Sequence, residues 1–226
     1  MLFRSARKRI LIAPYLAYMR QDKRFNPGEA LTSASFARLL SGSLEGLLTV
    51  DPHLHRHHGL HEIYSIPARV VHAAPMLAEW IRSNVSNPVL VGPDSESEQW
   101  VADVAALAVC PYAVLAKIRR GDRAVEISVP DVERWRDHRP VLVDDIISTA
   151  HTMIETVHHL RTIEMQVPVC LGVHAVFAGD AVSELRATGV ERIVTTDTIP
   201  HETNGIDISN LLIDGLGELL RGETAG

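Results

Sequence analysis

The sequence predicts an α/β fold with mostly parallel sheet, on three observations. Short runs of valine, isoleucine and leucine recur without polar alternation, as in strands covered on both faces. Amphipathic segments of helical period separate them, and strand–helix alternation is the signature of parallel sheet. Several runs end in acids or a histidine, and ligands of open parallel sheets bind outside the carboxyl ends of strands.

Taken in order, the expected strands are Arg9–Ala13, Leu47–Val50, Pro88–Val91, Tyr112–Ala116, Pro140–Val143, Val167–Val173 and Arg192–Thr196. The expected helices are Ala30–Leu40, Met76–Arg82, Glu96–Ala106, Thr152–Arg161 and Ala181–Ala187. In the fourth of these, Met153, Ile154, Val157 and Leu160 make one apolar face. Arg123–Ser128 reads as an antiparallel arm that pairs with Tyr112–Ala116 across Gly121. Ser65-Ile-Pro67 interrupts the apolar periodicity and marks a domain boundary near residue 68.

Composition narrows the function. The 226 residues are 46% hydrophobic and 22% charged, ordinary for a soluble globular protein. A net charge of −6 and an aromatic content of 5% argue against a nucleic-acid surface. No apolar run approaches the roughly eighteen residues of a membrane span, and MLFRSARKR lacks the apolar core of a secretory signal. The two cysteines, Cys110 and Cys170, are far apart and suit a reducing cytoplasm as buried small side chains. Lys117-Ile-Arg-Arg-Gly-Asp-Arg123 is a basic island in an acidic chain; it reads either as a solvated turn or as a site for an anionic substrate.

The most specific segment is Val141-Leu-Val-Asp-Asp-Ile-Ile-Ser-Thr-Ala-His-Thr-Met153. It reads as a buried strand ending in two carboxylates, followed by a hydroxyl-rich loop that enters a helix. Unpaired N–H groups and the dipole make such a helix start a phosphate cradle. Ser148, Thr149 and Thr152 add donors, and Asp144 and Asp145 suit vicinal sugar hydroxyls. The structural alternative is a helix cap beside a solvated acid pair.

This segment resembles the phosphoribosyl pyrophosphate binding motif shared by type I phosphoribosyltransferases and phosphoribosyl pyrophosphate synthetases. Further motifs, in the synthetase order, favour the latter. Tyr15-Leu-Ala-Tyr-Met-Arg-Gln-Asp22 is similar to Y-x-R-Q-D, and Thr49-Val-Asp-Pro-His53 to T-V-D-x-H. Gly92-Pro-Asp94 matches the acidic turn after a central strand. Ala116-Lys-Ile-Arg119 resembles the lysine-x-arginine of the catalytic flexible loop, and Thr198-Ile-Pro200 fits the closing T-x-T-I-P.

The resemblance implies ribose-phosphate diphosphokinase activity: the β,γ-diphosphate of ATP passes to the anomeric hydroxyl of ribose 5-phosphate. It assigns ATP binding to Arg20 and Gln21, and transition-state stabilisation to Lys117 and Arg119. Magnesium falls to His53 and Asp94, with Asp51 contributing from behind these ligands or through water. The sugar phosphate falls to Asp144, Asp145, Ser148, Thr149, Ala150, His151 and Thr152. His53, His55, His57, His58 and His61 crowd one loop, which reads either as polar surface or as a transition-metal cluster.

The fold implied is two phosphoribosyltransferase-type, Rossmann-like domains. They cover residues 1–67, completed by a C-terminal helix within 207–226, and residues 68–206. A cytoplasmic homo-oligomer without membrane or nucleic-acid partners is the accompanying expectation. Two departures from the family stand out. Ala150 and His151 replace paired glycines, and family members carry a further N-terminal segment, so the first domain is expected to be shortened. Two other readings stay open: a non-catalytic regulatory relative, and a phosphoribosyltransferase consuming phosphoribosyl pyrophosphate.

Overall fold

The computed structural model describes residues 7–24, 26–54, 56–92, 97–114, 116–120, 124–128 and 132–222. Along the chain run β1 (Ile10–Ala13), α1 (Thr32–Ser41), β2 (Gly46–Val50), β3 (Ala68–Val71), α2 (Ala74–Asn84) and β4 (Pro88–Gly92). Then come α3 (Glu98–Ala108), β5 (Tyr112–Val114), β6 (Ala116–Arg120), β7 (Ala124–Ser128) and β8 (Arg139–Ile147). The remainder is α4 (His151–Thr162), β9 (Val169–Ala175), α5 (Ala181–Ala187), β10 (Arg192–Thr196), β11 (Asn204–Ile206) and α6 (Ser209–Arg221). Among the described residues, no helix is long and apolar enough to cross a membrane.

The chain divides into two compact units, Met1–Ala73 with Ile208–Gly226, and Ala74–Asp207. The sequence places the division after residue 67; it falls after Ala73 because Ala68–Val71 pairs in parallel with β2 and completes the first sheet. Pro67 in front of it, and a length of four residues, hide this strand from periodicity.

In the first unit the parallel order is β1-β2-β3. Every residue of β2 is buried, because the strand is covered on both faces. Leu47 packs with Ala37 of α1 in one apolar cluster. On the other face α6 approaches closely at Gly215, where a Cβ would stand 2.6 Å from Val71 Cγ1. An Arg69–Glu218 ion pair ties β3 to the same helix.

The second unit holds a six-stranded sheet in the order β11-β10-β9-β8-β4-β5, parallel throughout. From β4 the chain builds outward to β5 on one side, and to β8, β9, β10 and β11 on the other. The switch point therefore lies between β4 and β8, where the crevice outside the carboxyl ends opens. The core joins Val89, Val91, Leu142 and Cys170 to Met153, Val157 and Leu160 of α4. Its thiol is pushed up to about 12 by burial, and Cys110 to about 11, so neither is a ready nucleophile.

Two expectations are corrected here. The arm pairs not with Tyr112–Ala116 but with Ala116–Arg120, in an antiparallel ribbon that sets Lys117 opposite Ile127 and Arg119 opposite Val125. Tyr112–Val114 is instead a parallel partner of β4. The strand expected to stop at Val143 continues to Ile147, pairing with β9 as far as Ala175. Buried β-branched Ile146 and Ile147 carry it on, so Asp144 and Asp145 lie within the strand, not beyond it.

Candidate functional site

The carboxyl edge of the second sheet is built around the β8–α4 loop. Asp144 sits opposite Gly172 of β9, and a Cβ on that glycine would meet Ile147 Cδ1 at 2.6 Å. The missing side chain lets Ile147 fold under the strand end. Asp144 and Asp145 are half-buried, Ser148 is half-buried and Thr149 is exposed.

Ala150 then adopts a left-handed conformation (φ 57°, ψ 7°) and leads directly into α4. Among the described residues no side chain caps this twelve-residue helix. Its first-turn N–H groups and positive dipole end face the loop, the arrangement that receives phosphate. His151 is the exposed first residue of the helix; Thr152 is half-buried and its carbonyl accepts the Thr156 hydroxyl at 2.6 Å. The ribbon comes to the same region, since β7 runs beside α4.

The other expected residues of this unit divide into two groups. Lys117 and Arg119 are placed by the ribbon register. Asp94 lies outside the described residues; β4, which leads to it, ends at Gly92.

In the first unit the structure joins segments distant in sequence. Arg56, in the histidine-rich loop, reaches Asp22 at 3.4 Å, so the Arg20-Gln-Asp22 segment and the loop after β2 are neighbours. Arg20 and Gln21 are exposed, and Gln21 Oε1 accepts the Thr32 hydroxyl at 2.7 Å at the start of α1. Asp51 has φ 34° and is buried. Its Oδ1 pairs with Nδ1 of His72 at 2.8 Å, and Oδ2 accepts the Ala73 N–H at 2.8 Å. Asp51 is thereby a clamp between the ends of β2 and β3, and His53 follows it half-buried.

The histidine-rich loop is ordered by Glu62. That carboxylate accepts from the His58 N–H at 3.1 Å and pairs with His57 Nδ1 at 2.9 Å. The bond to His57 is the main cause that holds Glu62 below the usual carboxylate range, with the His58 N–H adding to it. Among the described residues, no group of three or more histidines, cysteines, aspartates or glutamates is placed to hold a metal ion. His55 of this loop lies outside the described residues.

Sequence reasoning missed His72, whose role depends on a carboxylate twenty-one positions away. It also missed the buried network beneath the second edge. There the Thr196 and Thr198 hydroxyls both reach the Val173 carbonyl, at 2.7 and 3.0 Å, and His174 Nδ1 meets Thr198 Oγ1 at 2.9 Å. The threonines were visible as part of the closing motif; His174, two residues past the centre of β9, carried no signal.

Comparison with known proteins places this geometry. Residues 59–208 match the phosphoribosyl transferase domain family. The ribose-phosphate pyrophosphokinase of Methanopyrus kandleri is 33% identical over 207 residues, covering 91% of this chain and 70% of that protein. That of Methanothermobacter thermautotrophicus is 32% identical over 204 residues, 89% of this chain and 69% of the relative. The solved phosphoribosylpyrophosphate synthetase of Mycobacterium smegmatis superposes with a TM-score of 0.81 at 23% identity, over 96% of this chain and 73% of that one, which shows the shared fold. With the parallel sheets, the uncapped helix at the switch point and relatives at this level of identity, the chain belongs to the ribose-phosphate pyrophosphokinase family, the phosphoribosyl pyrophosphate synthetases.

Proposed function

We propose that the protein transfers the β,γ-diphosphate of ATP to the C1 hydroxyl of ribose 5-phosphate, giving phosphoribosyl pyrophosphate and AMP. The observation that carries this reading is the β8–α4 loop: hydroxyls, a left-handed Ala150 and an uncapped helix start, all beside the switch point. Ser148, Thr149 and Thr152 with the first-turn N–H groups of α4 hold the 5-phosphate, and Asp144 and Asp145 orient the ribose hydroxyls.

The C1 oxygen attacks the β-phosphorus while the bond to the α–β bridging oxygen breaks, and the hydroxyl proton leaves to solvent. Lys117 and Arg119 neutralise charge gathering on the transferred diphosphate, where placed cations act with most effect. Arg20 and Gln21 hold ATP. The first supplies charge-assisted bonds to phosphate and the second hydrogen bonds to polar groups.

Magnesium accompanies ATP in this proposal and supplies charge neutralisation on the phosphates. Both carboxylate oxygens of Asp51 already accept hydrogen bonds. Magnesium takes oxygen ligands and keeps several waters, which suits a cation carried on the ATP phosphates and completed by Asp94 and water.

The test measures AMP formation from ATP and ribose 5-phosphate, beside calorimetric titration with the sugar phosphate. Lys117→Ala is expected to cut turnover by roughly a hundredfold or more and to leave ribose 5-phosphate binding nearly unchanged. Near-normal turnover in that variant would remove Lys117 from the mechanism. A base-dependent release of pyrophosphate from phosphoribosyl pyrophosphate would assign the site to a phosphoribosyltransferase instead.

A further inference from the structure

Two residues at the carboxyl edge of the second unit are left unused by this reading. Phe177, just past β9, holds φ 24°, a conformation that favours glycine. Such strain persists only where surroundings over-determine it, and here they do. The Phe177 N–H donates to the Ile147 carbonyl at 2.9 Å, and the Ala178 N–H donates to the Ser148 carbonyl at 3.1 Å. Those are the last two carbonyls before Thr149 and Ala150, so this short segment grips the phosphate loop by its backbone.

On its other side the Phe177 ring stacks against His201, with centroids 4.7 Å apart and planes 30° from parallel. His201 is itself fixed. Its N–H donates to Asn204 Oδ1 at 2.7 Å, and the Thr203 N–H donates to its Nδ1 at 3.2 Å. A backbone N–H is only a donor, so Nδ1 is the acceptor and the ring's orientation is pinned. Asn204 Nδ2 donates onward to the Thr196 carbonyl at 2.6 Å and to Thr195 Oγ1 at 3.0 Å. The buried His174–Thr198 contact anchors the same turn from beneath. A rigid turn after β10 thus meets a strained residue after β9, which holds the loop after β8.

We propose that Phe177 and His201 are positioning residues. Their ring contact holds the 176–178 segment against the phosphate loop and so sets its affinity for ribose 5-phosphate. The inference rests on the assignment of that loop to the sugar phosphate. It adds that the turn between β10 and β11, which touches no substrate in this account, tunes binding through one aromatic contact.

The experiment uses the full chain and ribose 5-phosphate itself, with calorimetric Kd values and separate KM values for both substrates. Phe177→Leu and His201→Ala are each expected to weaken sugar-phosphate binding roughly tenfold, the scale of a lost ring contact. The double variant is expected to be no worse than either single one, since both remove the same link. KM for ATP stays unchanged, which general loosening of the fold would not allow. Phe177→Tyr keeps the ring and is expected to bind within about twofold of the unaltered chain.

If Phe177→Leu does not fold, His201→Ala, on a half-buried residue, decides alone. Equal binding by the unaltered chain and the ring-deleted variants overturns the inference while leaving the phosphate loop in place. Additive losses in the double variant overturn it too. No binding by the unaltered chain removes the phosphate-loop assignment and the inference together.

Discussion

Both sheets set a non-glycine residue at positive φ just past a central strand, and the two solve the resulting strain differently. Asp51, after β2, has φ 34° and spends both carboxylate oxygens on the end of β3, at His72 and Ala73. Ala150, after β8, has φ 57° and no side-chain group to compensate. Its geometry is held from outside, by the start of α4 and by the segment that grips Ile147 and Ser148. The first edge is closed on itself by its own acid. The second leaves a helix start uncapped among the described residues.

The largest effect expected from this contrast is at the closed edge. Asp51→Ala removes the acceptor of the buried Ala73 N–H and of His72 together. It should cost about 2–3 kcal/mol, read as lost amide-exchange protection in β2 and β3. Unchanged protection there would show that the clamp is decoration.

At the open edge the expected change is smaller and of opposite sign. Ala150→Gly relieves about 1–2 kcal/mol of left-handed strain and gives back roughly half of it through unfolded-state entropy. The net gain should be under about 1 kcal/mol, followed through the tryptophans, which all lie in the second unit at 80, 100 and 135. A clear loss of stability would mean that the Ala150 methyl packs productively, and the contrast between the edges would weaken.

The smallest effect concerns acid. Glu45 is held below its ordinary value of 4.5, chiefly by the Arg9 side-chain bond, with the Arg9 N–H adding to it. A carboxylate whose folded value is depressed contributes stability that is complete above its unfolded value and is lost as pH falls through the folded one. Glu45→Gln should therefore flatten the acid limb of first-unit stability below pH 4.5 and leave neutral pH almost untouched. An unchanged acid limb would assign it to other groups, Glu62 first among them.

How much of this was legible before folding depends on range. Arg192–Thr196 and Ala181–Ala187 stand where the sequence puts them, since each is a compact apolar run or one amphipathic face flanked by polar residues. β11, Asn204–Ile206, went unread because a three-residue strand with a central glycine has no period to detect. The extension of β8 past Asp144 and Asp145 was hidden by the acids themselves, which look like a strand's end until β9 is seen pairing beside them. The β8–α4 loop was legible because its pattern is local, a strand followed by hydroxyls and a helix. Arg56 with Asp22 and Phe177 with His201 were not, because each half of the pair reads as ordinary surface until the partner arrives.

By itself the chain's residue order determined the alternation of strands and helices, the parallel sheets and the hydroxyl-rich loop that leads from a buried strand into a helix, all consequences of burial patterns and turn chemistry within a few residues. Only the tertiary structure decided that β3 belongs to the first sheet and that Asp51 is a clamp. It alone showed a strained phenylalanine and a pinned histidine standing behind the loop. Those contacts join residues from different strands, and no local periodicity encodes which strands become neighbours.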